Sequence, residues 1–326
     1  MISYFDAHCD TIYRCWETGE NISLDFGAGE AQRKYFADCA CLRQNDGHID
    51  LMRAKAFARY AQFFALFYDA NDAPEDGMWA QCQRLHDCFL REMAANADLI
   101  THCRTGAEID AANAAGKCAA VLSVEGADLL ECKIERIETA AQWGVRFLNP
   151  VWNRTNALSG TNAEDQERGL SPKGKDFIRE LERHNIYADV SHISDAGFWD
   201  IIRTAQKPVV ASHSNSRALC RHPRNLTDDM FCAVRDSGGV VGINLYRDFV
   251  GDDSMETLVR HIEHFLEMDG EKTVCMGGDL DGCEALAGGL CGVQDIGRIY
   301  DALCVRGYDK ILLDDIFFNN LRRLLL

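Results

Sequence analysis

The sequence predicts a parallel (β/α)8 barrel, and three observations carry that prediction. Eight short apolar or β-branched runs recur along the 326 residues, at 2–8, 60–67, 119–125, 145–151, 187–192, 208–213, 239–246 and 273–279. Stretches of helical period separate them. Only five prolines and no Gly/Ser-rich tract interrupt the chain, so residues 1–326 are expected to form one domain. Strands alternating with helices in an undivided chain fit a closed barrel better than an open sheet.

The elements follow in order. The first run, Ile2-Ser-Tyr-Phe-Asp-Ala-His8, is an opening strand that leads directly into polar residues. Residues 17–50 have weak periodicity and read as a long, partly helical excursion. Tyr60–Phe67 and Ala119–Glu125 continue the series of apolar and β-branched runs. Helices are expected at 78–94, 134–142, 174–184, 196–204, 227–237 and 255–268. In the last, Leu258, Ile262, Phe265 and Leu266 form a core stripe at i, i+4, i+7 and i+8. Residues 309–326 read as a closing helix.

Composition narrows the function. Lys+Arg number 34 against 51 Asp+Glu, a net charge of −17, which lacks the basic footprint that nucleic-acid binding requires. No run approaches the ~20 apolar residues of a membrane span, and the first residues lack the basic and apolar regions of a secretory signal. The 15 cysteines are odd in number, scattered, and contain no C-x-x-C; several, such as Cys118, Cys275 and Cys304, sit in apolar runs. Such cysteines behave as small hydrophobes, so a reduced, cytoplasmic protein is expected.

The chemistry lies where the strands end. The first run ends in Asp6-Ala-His8-Cys-Asp10, the third in Glu125-Gly126, and the fifth in Asp189-Val-Ser-His192. The sixth ends in Ser212-His213-Ser214 and the eighth in Gly277-Gly278-Asp279-Leu-Asp281-Gly282. In a barrel those ends share one rim, where active sites form. His8 and Asp10, two apart, can point into the same mouth. Each piece alone has a structural reading: a hydrogen-bonded histidine, a helix-end carboxylate or a turn. Together, two carboxylates and three imidazoles suit borderline divalent ions such as zinc, with one carboxylate able to bridge two of them. A two-metal hydrolase is the resulting expectation. His261 and His264 lie off the helical stripe and are expected on a solvated face, and His48, His86, His102 and His184 are expected at the surface. Phe26-Gly-Ala-Gly29 lacks a third glycine and a preceding strand, so it is not a dinucleotide fingerprint.

These motifs, with Arg224-Asn-Leu-x-Asp228-Asp229, Gln62-Phe-Phe64 and Asn320-Leu-Arg322, resemble the membrane (renal) dipeptidase family in order and spacing along the whole chain. The resemblance implies a metallo-dependent hydrolase of TIM-barrel type that cleaves dipeptides with two zinc ions. His8 and Asp10 would bind one zinc, His192 and His213 the other, and Glu125 would bridge them. A hydroxide generated at the metals would attack the peptide carbonyl, Asp279 would act as general acid/base, Arg224 would grip the substrate carboxylate, and Tyr246 would line the pocket. A homodimer is expected only by analogy.

The chain departs from the family at Trp152, where the animal enzymes have a histidine that supports the oxyanion. Indole donates a hydrogen bond but cannot carry charge, so Trp152 either keeps part of that stabilisation or narrows the pocket, or it packs into the rim and leaves the donor role to Asn153. Two other functions stay open: a binuclear amidohydrolase acting on a cyclic amide, lactam or amidine, and a metal-binding homologue that has lost turnover.

Overall fold

The computed structural model describes residues 1–19 and 41–325. The expected excursion at 17–50 and the Phe26–Gly29 stretch therefore lie wholly or partly outside the described residues.

Eight strands form one parallel sheet: β1 (Ser3–Asp6), β2 (Arg59–Phe67), β3 (Ile100–His102), β4 (Cys118–Glu125), β5 (Val145–Asn149), β6 (Tyr187–Ala188), β7 (Val241–Ile243) and β8 (Val274–Met276). The order is β6-β5-β4-β2-β1-β8-β7. Closure comes from residues 208–213, expected as a regular strand. They make only the bridges Asp189↔Val210 to the β6 side and Ala211↔Val241 to β7. Their backbone bonds are sound: Val190 N–H reaches Val210 O at 2.8 Å and Ala211 N–H reaches Val240 O at 2.9 Å. This segment is the sixth stave of the barrel.

The short strand β3 is absent from the sequence-based expectation. It pairs with the first residues of β4, Ile100 opposite Cys118, while β5 pairs with β4 only from Leu122 onward. With three residues and a polar Thr-His ending, it lacks the apolar run that marks the other strands.

Two layers of core follow from the period-two alternation of strand side chains. Phe5, Phe63 and Phe147 stack inside the barrel, with centroid distances of 5.7 and 4.0 Å, in a cluster with Val121, Val210 and Cys275. Tyr4, Phe64, Leu122, Val124 and Leu148 belong to the larger cluster that includes the helices. The closing segment is helical at Lys310–Asp314 and Asn320–Leu324 with a π-helical turn at Asp315–Asn319, and its Phe318 packs on Phe5.

Helix starts are set by side-chain caps. Ser171, Ser194, Thr227 and Ser254 each accept the backbone N–H three residues on, at 2.9–3.2 Å. The 255–266 helix buries Leu258, Ile262 and Phe265, as its stripe predicts, and Phe265 stacks on Phe231 at 4.2 Å. Among the described residues, no helix is long and apolar enough to cross a membrane.

Glycine is required where the sixth stave meets β7 and β8. A Cβ on Gly242 or Gly277 would run into the carbonyl oxygen of Ser212. The backbones approach that closely only because neither residue has a side chain.

Candidate active site

His8, Asp10, Glu125, His192, His213, Arg224 and Asp279 all come together at the C-terminal rim, and all are buried. Glu125, the last residue of β4, is at their centre. Its Oε2 is 3.5 Å from His8 Nε2, while its Oε1 is 2.9 Å from His192 Nε2 and 3.5 Å from His213 Nε2. His8 Nε2 also lies 3.4 Å from Asp10 Oδ2 and 3.8 Å from Asp279 Oδ1. Three overlapping groups could hold a cation: His8–Asp10–Glu125, Glu125–His192–His213 and His8–His213–Asp279.

The donor set fits divalent metal. The Nε2 atoms of His192 and His213 face each other at 3.0 Å, while His8 Nε2 and Asp10 Oδ1 are buried without a hydrogen-bond partner among the described residues. Buried polar atoms are nearly always satisfied, so lone pairs gathered this closely call for a cation. A Cβ on Gly282 would collide with the carboxylates of Asp10 and Asp279, so the glycine keeps this cradle open.

Electrostatics divide the three histidines. Burial, then the nearby Arg224 and His8 charges, hold His192 well below the ordinary imidazole range. Burial, then His8 and Arg224, do the same for His213. Both are thus neutral, the form that ligates. Burial opposes protonation of His8, but Glu125 and Asp10 outweigh it and raise its pKa well above the usual value. Burial pushes Glu125 up to about 7, a cost that a bound cation removes.

Ring orientation is set from behind. His192 Nδ1 lies 2.8 Å from Asn153 Oδ1, and His213 Nδ1 lies 2.7 Å from Ser212 Oγ. The Asn153 oxygen only accepts, so it sets the His192 tautomer with the proton on Nδ1, and both partners aim Nε2 at the site. Asp279 Oδ2 accepts from Asn244 Nδ2 at 3.1 Å, leaving Oδ1 directed at His8. His192, Asp279 and Asp281 have φ of 71°, 56° and 64°. For non-glycine residues this left-handed backbone costs about 1–3 kcal/mol each and must be over-determined by its surroundings.

Asp6, Asp189 and Asn244 supply that determination, and sequence reasoning assigned none of them a role. Each accepts the N–H two residues on: Asp6 from His8 at 2.9 Å, Asp189 from Ser191 at 3.0 Å, and Asn244 from Tyr246 at 2.7 Å. Asp6 also takes Gly278 N–H at 2.9 Å, and Asp189 takes Ser212 N–H at 3.0 Å, tying one rim turn to the next. The available signal was an Asx-turn residue two positions before each polar rim residue.

A cavity of about 180 Å³ opens above these groups, and Trp152, Tyr246 and Arg224 all line it. The Trp152 ring lies 4.8 Å from Phe67 and 6.1 Å from the His192 ring. Arg224 sends Nη2 to His192 Nε2 at 3.1 Å and to His213 O at 3.3 Å. Its Nε and Nη1 have no hydrogen-bond partner among the described residues.

Three histidines expected at the surface are buried. His261 accepts Ser216 N–H at Nδ1 (3.1 Å) and donates from Nε2 to Val250 O (2.9 Å). His48 accepts Asp281 N–H at 2.9 Å. His86 stacks on Trp143 at 4.1 Å. His102 and His184 are partly buried. A polar residue off an apolar stripe can still be internal when backbone groups satisfy both ring nitrogens.

The family model "Membrane dipeptidase (Peptidase family M19)" matches residues 1–326. The chain belongs to that family. Membership makes it a metallo-dipeptidase, a hydrolase of peptide bonds. The "Uncharacterized protein in pqqA 5′region" of Klebsiella pneumoniae is 34% identical over 266 residues, covering 77% of this chain and 96% of that protein. A metallo peptidase from Rhodobacter sphaeroides, solved with a phosphinate mimic of the dipeptide L-Ala-D-Ala, superposes with a TM-score of 0.84 at 27% identity, covering 99% and 98% of the two chains. The solved dipeptidase AC, a metallo peptidase, superposes at 0.85 with 26% identity and the same coverage.

Proposed function

We propose that residues 1–326 act as one catalytic domain, a binuclear zinc dipeptidase. The observation that carries this reading is the division of Glu125: one carboxylate oxygen faces His8, and the other faces His192 and His213. That is the arrangement of a bridging ligand. His8 and Asp10 would hold one ion and His192 and His213 the second. When bound, the two ions supply Lewis acidity toward a water molecule and toward the scissile carbonyl.

The chain's own residues do the rest. Asp279 Oδ1 takes the proton of the attacking water and returns it to the leaving amine, while Asn244 holds Oδ2. The guanidinium of Arg224 lines the cavity, buried, with Nε and Nη1 unpartnered among the described residues, and a planar, charged guanidinium suits the free carboxylate of a dipeptide. This buried clamp favours a dipeptide, which always carries a free carboxylate, over a cyclic amide, lactam or amidine, whose hydrolysis does not need a carboxylate clamp. Tyr246, whose hydroxyl donates to Asp248 at 3.1 Å, walls the same side. The buried free thiols Cys9, Cys82, Cys118 and Cys275 support a reducing, cytoplasmic setting.

Metal analysis and turnover test the reading together. The purified protein should carry close to two zinc ions per chain and cleave small dipeptides, and a chelator should abolish turnover. Glu125→Gln should lower the occupancy of both sites; two tightly held ions in that variant would end the bridging assignment. Arg224→Ala should raise KM for dipeptides by about tenfold or more, with less effect on an analogue lacking the carboxylate.

A further inference from the structure

The cavity has two unlike walls. On one side Phe67 and Trp152 meet at 4.8 Å, and Tyr13 stands edge-on to Phe67 at 5.5 Å. On the other, Arg224 lies over Phe249 at 5.4 Å and Phe249 meets Tyr246 at 4.9 Å. His192 stands between them, with its ring 6.1 Å from Trp152 and its Nε2 3.1 Å from Arg224. A dipeptide with its carboxylate on Arg224 and its peptide carbonyl over Glu125 and His192 must extend its amino-terminal residue past His192. That residue then reaches the Phe67–Trp152 pair.

We infer that Phe67 and Trp152 form a specificity wall that selects an apolar side chain on the amino-terminal residue of the dipeptide, with Trp152 limiting its size. This inference rests on the dipeptidase reading above. The wall is aromatic, and a polar side chain pressed against its rings leaves its donors and acceptors unpaired. The nearby Arg14 does not reverse the preference toward acidic side chains. Glu17 engages it at 3.2 Å and Asp281 O at 3.0 Å. The size limit has its own observation. Trp152 lines this cavity and also a second, small one that it shares with Asp128 and Arg154. A residue common to both linings is placed to divide them, and removing its ring would join the two spaces.

The test compares kcat/KM of the zinc-loaded enzyme for Leu-Ala, Asn-Ala, Phe-Ala and Ala-Ala. Leu and Asn are close in size, so their ratio reads polarity. Leu-Ala should exceed Asn-Ala by about tenfold or more, the worth of a partly buried aliphatic side chain. Phe67→Ala should cut that ratio at least about threefold with zinc content retained, and Phe67→Leu, which keeps an apolar wall, should largely restore it. Trp152→Ala should raise Phe-Ala relative to Ala-Ala by joining the two cavities. Equal kcat/KM for Leu-Ala and Asn-Ala, or a ratio unmoved by Phe67→Ala, would overturn the wall and leave the dipeptidase reading standing. Failure of the zinc-loaded protein to cleave any dipeptide would overturn both.

Discussion

β2 and β4 run nine and eight residues and share an unbroken register from Ala61↔Ala119 to Phe67↔Glu125. Across the barrel, β6, β7 and β8 have two, three and three residues, and the sixth stave is only a pair of bridges. The long side delivers Glu125 to the candidate site, while the short side delivers His192, His213, Arg224 and Asp279. A long ladder fixes a backbone firmly but spaces its rim side chains by the pleat. Short strands leave the rim to turns, which can adopt left-handed backbone at His192 and Asp279 and aim several groups at one point. Their stability then depends on buried acceptors such as Asp6, Asp189 and Asn244.

If that division is right, the two sides should fail differently. Leu122→Ala, in the long ladder, removes a fully buried side chain and should cost about 2–5 kcal/mol in chemical denaturation, with zinc stoichiometry intact. Loss of zinc alongside the stability would show that the ladder positions the site directly. On the short side, Asp189→Asn keeps an acceptor for Ser191 and Ser212 but exchanges two charge-assisted bonds for neutral ones. It should cost about 1–3 kcal/mol and weaken zinc binding roughly 10–100-fold, measured by competition with a chelating dye. Unchanged zinc affinity would refute the positioning role.

A smaller effect should separate orientation from binding. Asn244→Asp can still accept Tyr246 N–H but presents an oxygen where Asp279 Oδ2 now receives a proton donor. We expect kcat to fall about tenfold, equivalent to ~1.4 kcal/mol of barrier, with KM and zinc content nearly unchanged. A matching rise in KM would place Asn244 in substrate binding instead.

The same division governs what could be read from sequence. The staves at 60–67 and 119–125 were legible because both faces are apolar, and a continuous apolar run survives any error in register. The stave at 208–213 was legible as a run, but not its reduction to bridges, which follows from the close approach of Ser212 to Gly242 and Gly277. β3 carries no apolar signal. In the candidate site, His8, Asp10, Glu125, His192, His213, Arg224 and Asp279 were legible because they crowd strand ends and match a family pattern. The contacts of Asn153 with His192, Asn244 with Asp279 and Asp189 with Ser212 were not, because they span 39, 35 and 23 positions. Trp152 was legible as a departure, but its pairing with Phe67 needed the fold.

His261 offers the finest test, because the sequence pattern placed it in solvent and the fold places it inside. Its two ring nitrogens join Ser216, which follows the sixth stave, to Val250, which follows β7. Asp252 and His264 are the charged groups nearest in effect, and burial dominates both, holding the imidazole below its ordinary value of 6.5. The unfolded chain therefore binds a proton more readily than the native one. Stability is fully present above about pH 6.5 and declines as pH falls from there toward the folded-state value, by at most about 1.4 kcal/mol per pH unit for one group. Acid also strips metal from histidine ligands, so the comparison must be a difference of slopes. His261→Gln replaces the ring with a neutral amide that can accept from Ser216 or donate to Val250 but does not titrate. It should be less stable than the parent at pH 8, and the gap should narrow between pH 6.5 and pH 5 in thermal melts. A gap that stays constant across that range would mean His261 titrates as it does in water, and that the short side of the barrel is open to solvent there.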